Sequence, residues 1–394
     1  MIAASLFVAA ALNVATGVPP LMTCEDGTKV DSVEKWEKVR RPELLRTFLK
    51  KVYGVRPVER PADLSFEVVR TDGDALGGKA VRKDVRISFS GVGGKTNFIA
   101  VAMIPKAGRP VPAFLVCCNR DPKKSVKTRF WDMEGTVARG YASVGFYMSD
   151  VVRDLSNAPG YWDDKTHSRY LSRFNREGVF AVLEKPETRT DESWGTISAW
   201  AWAASRVMDW IETERLIDAK HVAVIGHSRG GKTALLAGVT DTRFAMACVN
   251  DSGCTGAKLH HMDLPRSEHI AQINAMFPDW FCGAYKAFAD KEALLPFDQH
   301  EWIAMMAPRL VAVASASKDH WAGQPGEFAA ALLASPAWEL YGKRGLVSRP
   351  IFPSVGTALQ EGSVSYHLRE GSHDMTPWDW ARYMDFADRH GWRD

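Results

Sequence analysis

One stretch constrains the fold of this chain more than any other, residues 221–237, with the sequence HVAVIGHSRGGKTALLA. A short apolar β-type run leads into Gly226-His227-Ser228-Arg229-Gly230, and helix-forming residues follow directly from Lys232. A strand, a tight turn with Ser between glycines, and a helix form the arrangement called a nucleophile elbow. The turn forces its serine into a strained backbone conformation that only very small flanking residues permit. We therefore predict that Ser228 is a nucleophile held at the carboxyl end of a strand.

The order of β-type and helical patterns around this turn indicates the fold class. Alternating apolar residues at 85–89 and 99–103 predict an antiparallel hairpin at a sheet edge, with its turn at Gly91–Gly94. Further strands are predicted at 111–116, 141–147, 221–225, 245–249, 310–314 and 364–368, and helices at 193–213 and 376–390. Alternating β and α elements imply a mostly parallel sheet with helices on both faces. Together with the elbow, this pattern predicts an α/β-hydrolase fold, as one catalytic domain over residues 19–394.

Two segments stand apart from the regular alternation. Residues 32–54 have the spacing of a helix, and we expect a break at Pro42, with Arg41 outside helical geometry. Residues 150–191 are irregular and rich in Tyr, Arg, Asn and Asp. An insertion of that length in an α/β core is more often functional than decorative, so we expect it to form one wall of a cleft.

The balance of charges limits the partners of the chain. Fifty Lys and Arg against 47 Asp and Glu leave a formal charge of +3, with no concentrated basic block, which argues against nucleic-acid binding. The 46% of hydrophobic and 25% of charged residues are ordinary for a globular protein. Fourteen tryptophans mostly serve core packing, but indoles beside a cleft also stack on pyranose rings. Beyond the N-terminal segment, no stretch predicts a membrane helix.

The first residues bear on localisation. Residues 1–18 are apolar, too short to cross a bilayer, and similar to the central part of a signal peptide, although they contain no Lys or Arg. The segment is either a signal peptide or an ordinary buried N-terminus. We predict a secreted or periplasmic protein. The six cysteines have no metal-type spacing; in an exported protein Cys254 and Cys282 are candidates for a disulfide, which the sequence leaves open.

A serine hydroxyl needs a base, and the base needs an orienting acid. His373, in the loop after the strand at 364–368, has the position that this fold gives to the base, and we prefer it to His367 and His300. Two aspartates compete for the acid. Asp319 follows the strand at 310–314 and Asp251 follows the strand at 245–249, and either loop could reach the imidazole. The sequence leaves both open.

The motif Gly226-His227-Ser228-Arg229-Gly230-Gly231-Lys232 resembles the G-C-S-R-x-G-K signature of the glucuronoyl esterases, carbohydrate esterase family 15. The resemblance extends to NDSGCTGA, INAMFPDWFC, LPFDQHEWIAMMAPR, ASKDHWAGQPGEF and GSHDMTPWDWARYMDFADRH, and so spans about residues 20–391. Fungal members have disulfide-bonded cysteines where His227 and Asp374 stand here. The bacterial type of the family is therefore the better match, and the rigidity of the His373 loop becomes a question.

The resemblance implies a role for each matching residue. Ser228 would be the nucleophile, His373 the base, and Arg229 a charged donor to the oxyanion. The acid would be Asp319, as in some bacterial members, or Asp251, which stands where fungal members have theirs. Sugar hydroxyls would bind Lys232 and Glu268, and the uronic acid ring would contact Trp321.

The implied reaction is hydrolysis of the ester between 4-O-methyl-glucuronic or glucuronic acid on xylan and a lignin alcohol, without a metal or organic cofactor. We expect a monomer whose partner is this glucuronoxylan or lignin–carbohydrate ester, with no membrane or nucleic-acid partner. Two alternatives are an acetylxylan or other carbohydrate esterase, and a non-catalytic glucuronoxylan-binding protein.

Overall fold

A computed structural model describes residues 17–122, 127–128, 130–157, 161, 175–264 and 266–393. Ten strands form one sheet in the order β1-β2-β3-β7-β4-β8-β9-β10-β12-β11. The strands are β1 Ser65–Ala75, β2 Ala80–Gly91, β3 Gly94–Pro105, β4 Val111–Cys118, β5 Lys127–Thr128, β6 Trp131–Asp132, β7 Ala142–Tyr147, β8 Ile217–His227, β9 Met246–Asn250, β10 Leu310–Ala316, β11 Ala358–Leu359 and β12 Val364–Arg369. The short strands β5 and β6 pair only with each other.

The centre of the sheet is parallel, and its edges are antiparallel. The six central strands run parallel to one another, in the order β7, β4, β8, β9, β10 and β12. The predicted hairpin is confirmed: β2 and β3 pair antiparallel, with Gly91 opposite Gly94 at the turn. Strand β1, which the sequence pattern did not indicate, pairs outside β2 and forms that edge of the sheet. Because parallel strands end at a common edge, the loops after β8, β9, β10 and β12 meet there.

Helices cover both faces, as predicted. They are α1 Val33–Lys35, α2 Arg41–Phe48, α3 Met133–Ala138, α4 Met148–Val151, α5 Val179–Leu183, α6 Thr196–Ile211, α7 Arg229–Thr240, α8 Ile270–Met276, α9 Gln299–Ala304, α10 Gln324–Leu333, α11 Pro336–Glu339 and α12 Pro377–Arg389. One large core contains α6, α7, α9 and α10, and the second core, on the opposite face, contains α3 and α12. Every residue of α6 is buried, which is why its apolar residues extend around the whole helix.

The expected break at Pro42 is wrong. The π-helical turn Trp36–Arg40 runs directly into α2, and Arg41 keeps helical angles of φ −58° and ψ −44°. Pro42 lies in the first turn of α2, where a missing N–H costs little, and the wider π turn before it shifts the hydrogen-bond register. The helical winding therefore continues through the proline.

All six cysteines, including Cys254 and Cys282, are buried and unpaired. Residues 1–16 of the predicted signal segment lie outside the described part of the chain. Among the helices that are described, none is both long enough and apolar enough to cross a bilayer.

Candidate active site

Ser228 lies on a tight elbow between β8 and α7, as the sequence predicts. Its backbone adopts φ +59° and ψ −122°, which is strained for a residue with a side chain. A Cβ on Gly226 would lie 2.1 Å from the carbonyl oxygen of Gly230, and one on Gly230 would lie 2.7 Å from that of Cys117. Only glycine fits at both positions. The Ser228 N–H donates to the Asn250 carbonyl at 2.9 Å, which ties the elbow to the end of β9.

Ser228 and His373 line the same open pocket, whose volume is about 340 Å³. The other residues that line it are Arg229, Lys232, Asp251, Ser252, Gly253, Glu268, Met276, Phe277, Trp280, Asp319, Trp321 and Ala322. Every residue singled out as a site candidate from the sequence is therefore in one place. His367 and His300, the alternatives to His373, are both buried, and neither lines this pocket.

Asp319 is the carboxylate that contacts His373. The Nδ1 atom of His373 lies 2.5 Å from Oδ2 of Asp319, whose side chain is only 4% exposed. The other carboxylate oxygen, Oδ1, accepts from the Ala322 N–H at 3.3 Å. This geometry leaves Nε2 of the imidazole as the atom available to a substrate or to Ser228.

Asp251 lines the same pocket but has different contacts. Its Oδ1 accepts from the Ala316 N–H at 2.6 Å, and its Oδ2 lies 3.8 Å from both His227 Nδ1 and an Nη atom of Arg369. Burial, together with the negative charges of Glu327 and Asp319, raises the pKa of Asp251 well above its usual value. Asp251 therefore favours its neutral form, which suits a structural acid better than one that must stabilise an imidazolium.

Arg229 follows Ser228 in the chain, and Asp154 and Ser156 hold its guanidinium. Its Nη1 donates to the Asp154 carboxylate and, at 2.7 Å, to Ser156 Oγ. The guanidinium carbon lies 4.7 Å from the ring centre of Trp280 and 5.6 Å from that of Phe277, and these two rings stack on each other at 3.7 Å. The Nε–H is buried and has no hydrogen-bond partner among the described residues.

Lys232 and Glu268 form a buried charged pair on the pocket wall. Lys232 Nζ lies 4.0 Å from Glu268 Oε2 and donates to the carbonyl of Ser252. Burial raises the pKa of Glu268, and the opposing charge of Lys232 only partly offsets this rise. Trp321 binds to the same segment, since its carbonyl accepts from the Glu268 N–H at 2.9 Å. The indole of Trp321 is itself exposed.

Sequence reasoning missed the residues that hold Arg229. Asp154 and Ser156 lie within residues 150–191, which were expected to form a cleft wall, but no role was given to either side chain. An acid shortly after the end of parallel strand β7 is a signal that could have found Asp154. Residues 158–160 and 162–174 of that segment lie outside the described residues.

Among the described residues, one group of three histidine and acidic side chains is close enough together to hold a metal ion. Ligand atoms of His227, Asp251 and His373 lie within 4.8 Å of one another. The Nδ1 atoms of both histidines are already in hydrogen bonds, to Asn250 Oδ1 at 2.6 Å and to Asp319. These contacts are those of a hydrogen-bonded acid–base cluster, and we assign no metal to it.

A serine on a strained elbow and a histidine–aspartate pair, delivered from the carboxyl ends of parallel strands, define a hydrolase of the α/β-hydrolase class. Comparisons with known proteins then give the family. Residues 184–342 match the family model for glucuronyl esterases of fungi. The curated carbohydrate esterase MZ0003, from an unknown prokaryotic organism, is 35% identical over 95% of this chain and 89% of its own.

Solved structures give the same family. A glucuronoyl esterase from Solibacter usitatus has a TM-score of 0.83 and 33% identity, over 95% of this chain and 97% of its own. A promiscuous family 15 esterase from a marine bacterial metagenome has a TM-score of 0.80 and 34% identity, over 95% of this chain and 96% of its own. The chain belongs to carbohydrate esterase family 15, with the bacterial glucuronoyl esterases, and is a carboxylic ester hydrolase. The catalytic domain from Hypocrea jecorina, at 20% identity and a TM-score of 0.64, shares the fold.

Proposed function

We propose that the protein cleaves the ester between 4-O-methyl-glucuronic or glucuronic acid on xylan and lignin alcohols. The observation that supports this most directly is the 2.5 Å contact of His373 with Asp319 in the pocket that Ser228 lines. Curated relatives support the substrate class: a protein of Hypocrea jecorina that is 31% identical over 39% of this chain is named 4-O-methyl-glucuronoyl methylesterase. We further propose that the protein is a monomer and that it is exported. Both properties would suit this substrate.

The reaction proceeds in two steps. Ser228 Oγ attacks the ester carbonyl carbon while Nε2 of His373 takes its proton, and Asp319 stabilises the resulting imidazolium. The tetrahedral intermediate collapses, the C–O bond to the alcohol breaks, and the imidazolium protonates the leaving alcohol. Water, deprotonated by His373, then attacks the acyl-enzyme, and the uronic acid leaves as Ser228 recovers its proton.

Arg229 is the proposed charged donor to the oxyanion. Arg229 directly follows the proposed nucleophile, at the position whose backbone N–H also contributes to the oxyanion hole in this fold. Its buried Nε–H has no hydrogen-bond partner among the described residues. Lys232, Glu268 and Trp321 are the proposed contacts of the uronic acid. A buried ammonium–carboxylate pair offers both donors and acceptors to sugar hydroxyls, and an exposed indole offers a face to the ring.

The experiment compares benzyl glucuronate with an acetylated xylan oligosaccharide, using the wild-type protein and Ser228→Ala. We expect the wild type to prefer the glucuronate ester, and the variant to lose at least about a thousandfold in kcat on both esters. Full activity in Ser228→Ala would overturn the nucleophile assignment. The acetyl ester is included because the similar metagenomic esterase is described as promiscuous, and a preference for it would favour a general carbohydrate esterase.

A further inference from the structure

The loop that carries His373 contains no covalent cross-link, and a single arginine is bound along its backbone. We propose that Arg369 is a positioning residue, which fixes His373 against Asp319 by binding the carbonyls on both sides of it. The inference rests on the proposed role of His373 as the base. This role of Arg369 also explains how a half-exposed imidazole on a surface loop keeps one orientation.

Arg369 donates three hydrogen bonds to the loop. Its Nη1 donates to the Glu370 carbonyl at 2.8 Å, and its Nη2 donates to the carbonyls of Ser372 at 2.9 Å and Asp374 at 2.7 Å. The last two residues are the immediate neighbours of His373 in the chain. A guanidinium presents several donors in a fixed plane and remains charged, so these bonds are directional and charge-assisted.

The guanidinium is itself fixed by two buried acids. Arg369 is the last residue of β12 and is 7% exposed, and its Nε lies 2.9 Å from Asp379 Oδ2 in the first turn of α12. An Nη atom lies 3.8 Å from Asp251 Oδ2. The close contact with the Asp379 carboxylate, in a low-dielectric setting, and the nearby Asp251 side chain leave the cation little freedom to move. Asp251, which the sequence left as a rival acid, thus has a second role here as an anchor for Arg369.

Gly371 leaves room for the guanidinium. It has φ +121°, and a Cβ at this position would lie 2.7 Å from an Nη atom of Arg369. A side chain would therefore both strain the turn and push the arginine away. The close approach of the loop to Arg369 depends on this glycine.

The same loop is also joined to the loop that carries the acid. Ser317 N–H donates to the Arg369 carbonyl at 2.8 Å, and Lys318 N–H donates to the Gly371 carbonyl at 2.8 Å. In return the Gly371 N–H donates to Ser317 Oγ at 3.2 Å. Fixing the His373 backbone therefore fixes it relative to Asp319, which directly follows Lys318 in the chain. Since a misplacement of about 1 Å can cost roughly a hundredfold in rate, such a hold has a kinetic consequence.

Arg309 offers a matched control at the other end of β10. Its Nη1 also donates to three carbonyls, those of Gly238 at 2.7 Å, Phe244 at 2.8 Å and Asp241 at 3.4 Å. It lies just before β10, whereas Asp319 follows the end of that strand. Arg309→Lys removes a similar set of bonds from a part of the fold that does not line the pocket.

The experiment measures kcat, KM and Tm for Arg369→Lys, Arg369→Met, Gly371→Ala, Arg309→Lys and His373→Ala on benzyl glucuronate. We expect kcat to fall roughly tenfold in Arg369→Lys and about a hundredfold in Arg369→Met, with KM within about twofold of the wild type. The kcat of Arg309→Lys should stay within about twofold of the wild-type value, even if its Tm falls as far as that of Arg369→Lys. If Arg369→Met does not fold, Gly371→Ala displaces the same guanidinium and should lower kcat roughly tenfold, again without a change in KM.

Two results would overturn the inference while the proposed function stands. One is that Arg369→Lys and Gly371→Ala keep the wild-type kcat although His373→Ala is inactive. The other is that Arg309→Lys loses as much kcat as Arg369→Lys, which would reduce the effect to general destabilisation. An active His373→Ala would instead contradict the proposed function, and with it the role of Arg369.

Discussion

The His373 imidazole and the Asp319 carboxylate meet through Nδ1 and Oδ2 at 2.5 Å, although 54 residues separate them in the chain. Asp251, the alternative acid, directs one oxygen to the Ala316 N–H and lies 3.8 Å from His227 and from Arg369. The two aspartates therefore line the same pocket with different partners. Their separate contributions can be measured.

Asp319→Asn and Asp251→Asn should differ greatly in activity. An amide in place of the Asp319 carboxylate has the same shape but holds the imidazole in the wrong tautomer, so we expect kcat to fall by about 10³–10⁴. Because burial raises the pKa of Asp251 and favours its neutral form, an amide replaces it with a loss of less than about tenfold. Initial rates on benzyl glucuronate check this. A larger loss in Asp251→Asn would transfer the role of the acid.

Trp321→Ala should weaken substrate binding rather than slow the chemical step. The indole is exposed in the pocket, and loss of stacking on a sugar ring typically costs about 1–2 kcal/mol, so KM for a glucuronate ester should rise about tenfold. A small ester such as p-nitrophenyl acetate has no sugar ring to stack there, and its kcat/KM should change less than about twofold. Equal losses on both esters would speak against a sugar contact.

Gly226→Ala should disrupt the elbow. The new Cβ would lie 2.1 Å from the Gly230 carbonyl oxygen, so the backbone must shift, and we expect a loss of roughly 3 kcal/mol or more in the free energy of unfolding. Gly73→Ala in β1 is the control, since its added Cβ would meet no atom of the described residues within 4 Å, apart from its neighbours in the chain. Urea denaturation compares the two. An unchanged midpoint for Gly226→Ala would be inconsistent with the tight turn.

His260 should make stability depend on pH. Burial lowers its pKa to about 4, against 6.5 for the ordinary group, although the Asp298 charge opposes the shift. Between these values the unfolded chain binds more protons, so the contribution of His260 is complete above pH 6.5 and is lost as the pH falls toward 4. The stability difference between wild type and His260→Gln should shrink by about 2 kcal/mol from about pH 7 to about pH 5.

The prediction concerns the stability difference between wild type and His260→Gln because neighbouring groups titrate in both proteins. Burial raises the pKa of Glu301 to about 8, which gives the opposite slope between pH 4.5 and 8. Urea denaturation at about pH 7, 6 and 5 separates the two contributions. A stability difference that is the same at all three values would show that His260 does not titrate with a lowered pKa.

The sequence could predict those elements whose pattern follows from burial. The elbow, the buried central strands and α12 are each encoded by local apolar runs and small residues, and all were found. Strand β1 was missed because most of its side chains, including Val68 and Val69, are exposed and give no alternation. The helix through Pro42 was missed because a local rule about proline cannot foresee a π turn.

The site could be predicted as a set of residues but not as a set of contacts. Motifs placed Ser228, Arg229 and His373 at loop positions, and the fold brings them together. The choice between Asp319 and Asp251 depends on loop paths that differ by a few ångströms, and sequence spacing does not encode these paths. The same reason hid Asp154 and Arg369, whose roles depend on where distant backbone and side-chain atoms arrive.

The exposure of Trp321 has an optical consequence. It is 42% exposed, and it is the only tryptophan among the exposed large apolar residues of the described chain. A collisional quencher such as iodide should therefore reach this indole preferentially, while the buried indoles remain bright. A sugar seated against the ring would shield it, so the intrinsic fluorescence of the unmodified enzyme should report occupancy of its pocket.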